Sequence, residues 1–210
     1  MKKATKQLKL AAVILTLILL VIVGGLFAYI TLNGDGDETI NVDAEINYKL
    51  RSNATDVQKA YFEELRVALT SEETTPEAIA GAIVKNYIAS FYTWSNKQGS
   101  FDVGGLQFVY APNTLYIQTE AKAFFYKDLS YFINEYGSEN LLKVSSVNIK
   151  YVDPEVNYVI GETSYPSYYV AAEWTYEPND VFNPEGYQTK AYFSVMVNNG
   201  QFQIYRYFLE

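Results

Sequence analysis

Cysteine and histidine are both absent from this 210-residue chain. Without cysteine there are no disulfides, no thiolate metal sites and no lipidated N-terminal cysteine, a composition that suits export without oxidative folding. Without histidine the chain lacks the one side chain whose unperturbed pKa lies near neutrality, and with it the commonest general base and metal ligand. Most hydrolase constellations are thereby excluded, and no catalytic, cofactor-binding or metal-ligating residue is expected. Cations are also few: 16 Lys and Arg stand against 24 Asp and Glu, for a net charge of −8. Four lysines, Lys2, Lys3, Lys6 and Lys9, precede the first apolar run, so the remainder carries −12. A surface of that sign repels phosphate backbones, which disfavours nucleic acid as a partner.

The longest apolar run is Leu10 to Ile30, LAAVILTLILLVIVGGLFAYI, with Thr16 its only plainly polar side chain. At the helical rise it spans roughly 31 Å, the thickness of a bilayer core. Lysines before it and Asp35, Asp37 and Glu38 after it place the N-terminus in the cytoplasm and the rest outside. A cleaved signal peptide shares this layout, but signal cores are shorter and end in an A-x-A-like site, whereas Leu26 stands two before Ala28. The expected organisation is a basic tail at 1–9, a single transmembrane helix at 10–32, a linker at 33–38 and one extracytoplasmic domain at 39–210. The protein is then an integral, single-pass membrane protein of the cell envelope.

Within the domain, apolar residues alternate from Ile40 to Leu50, predicting a half-buried strand over 39–51. Thr55 or Asn53 caps a first helix to about Leu69, with Val57, Tyr61, Leu65 and Leu69 at helical spacing. Thr74, Pro76 and Glu77 give a capping-box start to a second helix, with the stripe Ile79, Ile83, Tyr87, Phe91 and Trp94. Gly99 to Asn113 reads as loop or irregular strand. Ala121, Phe124, Phe125, Leu129, Phe132, Ile133 and Tyr136 predict a third helix from Thr114 to about Tyr136, stopped by Gly137.

Beyond Gly137 the period changes to two. Four strands are expected at about Leu142–Val152, Ser167–Glu177, Gln188–Val197 and Gln201–Leu209, with Asn199-Gly200 a hairpin turn. Pro154, Pro166, Pro178 and Pro184 are expected between strands. Tyr168, Val170, Ala172, Trp174 and Tyr176 share one face, opposite Tyr169, Ala171, Glu173, Thr175 and Glu177. Phe202, Ile204, Arg206 and Phe208 likewise oppose Gln203, Tyr205, Tyr207 and Leu209. Aromatics on both faces fit either helices covering one side and tyrosines decorating the other, or a partner surface.

An α+β order of about three helices, then about four antiparallel strands ending in a tight hairpin, resembles the NTF2-like superfamily, in which a curved sheet wraps helices into a cone. The resemblance covers roughly Ala54 to Glu210, with the strand at 39–51 as an addition. Behind one transmembrane helix it resembles the scaffold subunits of bacterial conjugation and type IV secretion channels. That architecture implies a non-enzymatic role in assembly, with itself or with other envelope proteins.

The alternative readings are a small-ligand binder or isomerase-like protein of the same fold, or a binder of cell-wall glycan. For an internal pocket the lining candidates are Tyr87, Phe91, Trp94, Phe125 and Trp174, which serve equally as plain core. Glu173 and Asp128, the acids considered for a carboxylate base, read as solvated or structural. Asp35, Asp37 and Glu38 lack the spacing of a calcium loop, and Asn53-Ala54-Thr55 is a chance-frequency sequon.

Overall fold

The computed structural model describes residues 41–43 and 46–209. They belong to a compact unit, Ile40–Glu210. The expected membrane span and linker lie outside the described residues, among which no helix is long and apolar enough to cross a membrane. The described fold is α+β, with four α-helices and a four-stranded antiparallel sheet.

Two short strands, β1 (Asn41–Asp43) and β2 (Tyr48–Leu50), open the unit as an antiparallel pair. The single strand expected over 39–51 is thus a hairpin, because Asn47 adopts φ 58, a left-handed conformation that asparagine tolerates better than most residues. The apolar alternation still holds after the turn: Ile46 and Tyr48 are buried and Leu50 packs against the core.

Helix α1 (Asp56–Thr70) is capped by Thr55 in a full capping box with Gln58. Asn53 instead donates to the Asn96 carbonyl. Helix α2 (Pro76–Phe91) is capped by Thr75, whose hydroxyl accepts the Ala78 N–H, so the box read from Thr74 and Glu77 does not form. Ten of its 16 residues are buried, which makes it the central helix, apolar nearly all round. Trp94 lies beyond its end, where its backbone N–H donates to the Leu142 carbonyl at 2.7 Å.

The segment expected as loop holds a 3-10 turn at Leu106–Phe108, and Val109 pairs with Ile204 in a parallel bridge. The single third helix is two: α3 (Ala111–Ala123) and α4 (Leu129–Tyr136). The break lets Tyr126 point inward, where its hydroxyl donates to the Phe91 carbonyl at 2.5 Å and accepts the Gly104 N–H at 3.3 Å. Phe124, expected on the buried stripe, is 72% exposed as a result.

The main sheet is a meander in the order β3 (Val144–Ile160), β4 (Thr163–Tyr176), β5 (Lys190–Asn198), β6 (Gln201–Leu209). Pro154 and Pro166 lie inside β3 and β4 rather than between strands. Both are tolerated, since β3 is an edge strand and Pro166 sits at a register shift between Glu155 and Tyr158. Asn199 and Gly200 have φ 50 and 80, the two positive values a type I′ hairpin needs. Helix α2 crosses β3, β4 and β6, and Val170, Ala172, Trp174, Phe193, Val195 and Ile204 supply the buried face beneath it.

Bulges decide which residues reach that face. Ser194 pairs with Arg206 but Val195 with Ile204, so Tyr205 is an extra residue in β6. The four residues expected to share a face therefore separate: Phe202 and Ile204 point inward, whereas Arg206 and Phe208 are exposed. Tyr207 takes the inward position, near Tyr87 and Phe193.

Candidate functional site

The five residues considered for an internal pocket are brought into one aromatic cluster. Tyr87 stacks on Phe91 (5.2 Å between centroids), Phe91 on Phe125 (5.6 Å), and Phe125 meets Trp94 at 4.8 Å. Trp174 joins through Tyr92, 4.3 Å away, and Tyr92 packs edge-on to Phe125. Tyr87, Phe91, Trp94 and Trp174 are each no more than 3% exposed, and Phe125 is half-buried. Tyr126, Phe132, Phe182 and Tyr187 complete the cluster around Trp94. Burial pushes the phenols of Tyr87, Tyr92 and Tyr126 well above their ordinary range. None of the five lines the clefts described next.

The first cleft lies between β2, α1, α2 and the 103–108 segment, with a volume of about 200 Å³. Gln58 and Asn86 on its wall are buried and tied to backbone carbonyls, of Ala89 for Gln58 and of Tyr61 and Ala82 for Asn86. At its rim Arg51 makes a bidentate pair with Asp102, at 2.7 and 2.8 Å. Burial alone would raise the Asp102 carboxyl, but the Arg51 guanidinium, the Gln98 N–H and the Lys97 charge together hold it below the usual carboxylate range. These bonds fasten the β1–β2 hairpin to the 97–104 loop and turn the polar groups inward.

The second is a groove of about 470 Å³ between α3 and β6, walled by Asn113, Tyr116, Ile117, Glu120, Tyr205, Arg206 and Tyr207. Tyr110 N–H donates to the Ile204 carbonyl and Asn113 to that of Tyr205, closing part of the β6 edge. Helix α3 buries only Ile117 and Ala121, while Leu115 and Tyr116 are 73% and 68% exposed. A surface helix ordinarily turns polar residues outward; this one is apolar on both sides.

The third lies on the helix-free face of the sheet. Tyr151, Ala171 and Tyr192 stand opposite one another across β3, β4 and β5, and with Lys150, Glu173 and Lys190 they surround a slot of about 300 Å³. Tyr169, two residues back along β4, lies tilted against Tyr151 at 6.2 Å and stacks on Tyr192 at 5.6 Å, so its ring contacts both. Glu173 faces this slot and pairs with Lys150 at 3.3 Å, and Asp128 is exposed ahead of α4. Glu173 does not reach the aromatic interior, whereas Asp128 lies near its edge, where burial and then the Asp128 charge raise the Tyr187 phenol.

The strand pattern already put Tyr169, Ala171 and Glu173 on one face. Their neighbours Tyr151 and Tyr192 depend on cross-strand register, and the exposure of Leu115 and Tyr116 on the break after Ala123. No family model, curated protein or solved structure matches this chain.

Proposed function

We propose that the chain is a membrane-anchored, extracytoplasmic assembly domain of the bacterial envelope, with an NTF2-like arrangement of helices on a curved sheet. The observation that carries the reading is helix α3, which packs Ile117 and Ala121 inward yet presents Leu115 and Tyr116 to solvent, Tyr116 walling the α3–β6 groove. Apolar side chains exposed along a groove are what protein interfaces cover. Two further features support it: the helices-then-meander order, and the interior rings, which are occupied by one another.

The test uses the natural absence of cysteine. Single substitutions Leu115→Cys and Tyr116→Cys in the full chain, labelled with a thiol-reactive benzophenone and irradiated in native membranes, are expected to yield a covalent adduct with a second copy or another membrane protein. A label at exposed Glu73→Cys is expected to give none. Monomer alone from the α3 positions, with no membrane protein co-purifying, overturns the reading.

A further inference from the structure

We infer that the cleft between β2, α1, α2 and the 103–108 segment binds a small neutral molecule with a carboxamide head and an apolar body. The site is independent of the α3 surface. Its ligand class follows from one buried side chain, Asn86, which lines the cleft and is 4% exposed. The Asn86 amide nitrogen donates to the carbonyls of Tyr61 and Ala82, at 2.8 and 2.9 Å. Both of its hydrogens are thereby used, and because only the nitrogen can serve two carbonyls, the orientation of the amide is fixed. The oxygen Oδ1 has no donor among the described residues and is not enclosed by protein, so it opens into the cleft. Ser90, one turn on along α2 and on the same wall, carries a hydroxyl that also has no partner among the described residues. Residues four apart on a helix hold their Cβ atoms about 5 to 6 Å apart. A carboxamide bridges such a pair with two ordinary hydrogen bonds of about 2.9 Å, its N–H donating to Asn86 Oδ1 and its oxygen accepting from Ser90.

The other polar groups of the wall are engaged with one another. Gln58 donates to the Ala89 carbonyl, and its oxygen accepts from the Thr55 N–H and the Asn96 amide. Gln107 exchanges two bonds of 2.8 Å with the backbone of Lys49, and Arg51 is held by Asp102. These ties fasten the β1–β2 hairpin to the 102–107 segment, so the walls are set before anything binds and little ordering is required. The remaining surface, including Leu50, Ala54, Phe62, Val103 and Leu106, is apolar. No acid lines the cleft to hold an ammonium group, and a carboxylate would bring an acceptor-only group against Asn86 Oδ1. The head is therefore neutral. A volume of about 200 Å³ far exceeds the ~10 to 15 Å³ that one water needs and lies below the about 300 to 1,000 Å³ of drug-sized sites, which suits a single ring or a short branched chain.

Fluorine NMR on the full chain in detergent micelles, referenced to empty micelles, tests this with para-fluorobenzamide, para-fluoroacetophenone and para-fluorobenzoate. Line broadening that unlabelled benzamide reverses reports binding. The ketone has the shape of the amide with a methyl group in place of the NH₂. The amide is expected to bind about tenfold more tightly than the ketone, the scale of leaving one buried acceptor unpaired, and more tightly than the benzoate. Ser90→Ala is expected to weaken the amide about threefold, on the scale of one neutral hydrogen bond, and Ala54→Phe to abolish binding by filling the cleft. Tyr116→Ala, on α3, is expected to change nothing, and near-ultraviolet circular dichroism confirms that each variant is folded. The ligand series on the unaltered chain decides the matter even where a variant fails to fold. No broadening of the amide beyond that in empty micelles, equal affinity for the ketone, tighter binding of the benzoate, or unchanged binding in folded Ala54→Phe overturns the inference.

Discussion

The same substitution at two buried tyrosines is expected to move stability in different ways. Tyr87 and Tyr126 are both 0% exposed and lie within one aromatic cluster. The Tyr126 hydroxyl donates to the carbonyl of Phe91 in the last turn of α2, where helical carbonyls lack intrahelical partners, and accepts the N–H of Gly104. The Tyr87 hydroxyl has no protein partner within hydrogen-bonding distance. Tyr126→Phe leaves two buried backbone groups unpaired. Each costs about 1 to 3 kcal/mol, the 3.3 Å contact at the low end, for about 3 kcal/mol in all. At this size about 2 to 4 °C of Tm accompanies each kcal/mol, so the variant should melt about 6 to 12 °C lower.

Tyr87→Phe removes an oxygen that gains nothing from the protein and keeps the stacked ring. It should be neutral or raise Tm by about 2 to 4 °C, the return of about 1 kcal/mol of desolvation. Thermal unfolding of the full chain in mild detergent, followed by near-ultraviolet circular dichroism, measures both. Equal losses from the two substitutions would refute the reasoning, because Tyr87 would then need a bonded partner of its own.

A methyl group at Gly104 would lie 2.1 Å from the Ser90 carbonyl oxygen. Since that neighbour is backbone, Gly104→Ala should cost about 3 kcal/mol, seen as a lower urea midpoint. Asp102→Asn removes the partner of Arg51 and should cost about 2 kcal/mol near neutrality. Because the folded carboxyl is held below its unfolded value of about 3.9, this stabilisation is present above that pH and is lost as pH falls through the folded pKa. The two proteins should therefore converge in urea titrations as the pH falls through that folded value. At the alkaline end, burial pushes Tyr48 to about 12 and raises Tyr87, Tyr92, Tyr126 and Tyr176. The sign is opposite: stability is full below about pH 10 and declines as pH rises through the folded values. Tyrosinate absorbance should thus rise together with loss of near-ultraviolet dichroism, and a phenol titration complete at about pH 10 without unfolding would contradict the burial.

Local chemistry was legible and long-range geometry was not. Thr55 as a helix cap, Pro76 at a helix start and Asn199-Gly200 between alternating runs each act within a few residues, and the structure uses all three, though the second helix is capped by Thr75 and not Thr74. The break between α3 and α4 answers to a hydrogen bond from Tyr126 to a carbonyl 35 residues away, and no spacing within 114–136 encodes it. Bulges have the same character. One extra residue at Tyr205 reverses the parity of Arg206, Tyr207 and Phe208. For the slot, period two put Tyr169, Ala171 and Glu173 on one face of β4. Tyr151 follows a register shift in β3 that separates Ile149 from Tyr151, so its position came only from the paired strands.

The 16% aromatic content acquires two meanings according to which face of β4 a ring meets. On the inner face Trp174, Tyr92, Phe91, Phe125 and Trp94 touch one another within 5.6 Å between centroids. A ligand there would have to displace rings whose removal from a core typically costs about 3 to 5 kcal/mol each. On the outer face Tyr169 lies against both Tyr151 and Tyr192, at 6.2 and 5.6 Å between centroids, where no helix covers the sheet. Binding inside must therefore overcome the contacts that hold α2 to the sheet, whereas covering a partly exposed outer ring such as Tyr151 breaks none of those. Glu173, on the outer face and paired with Lys150, takes no part in that interior.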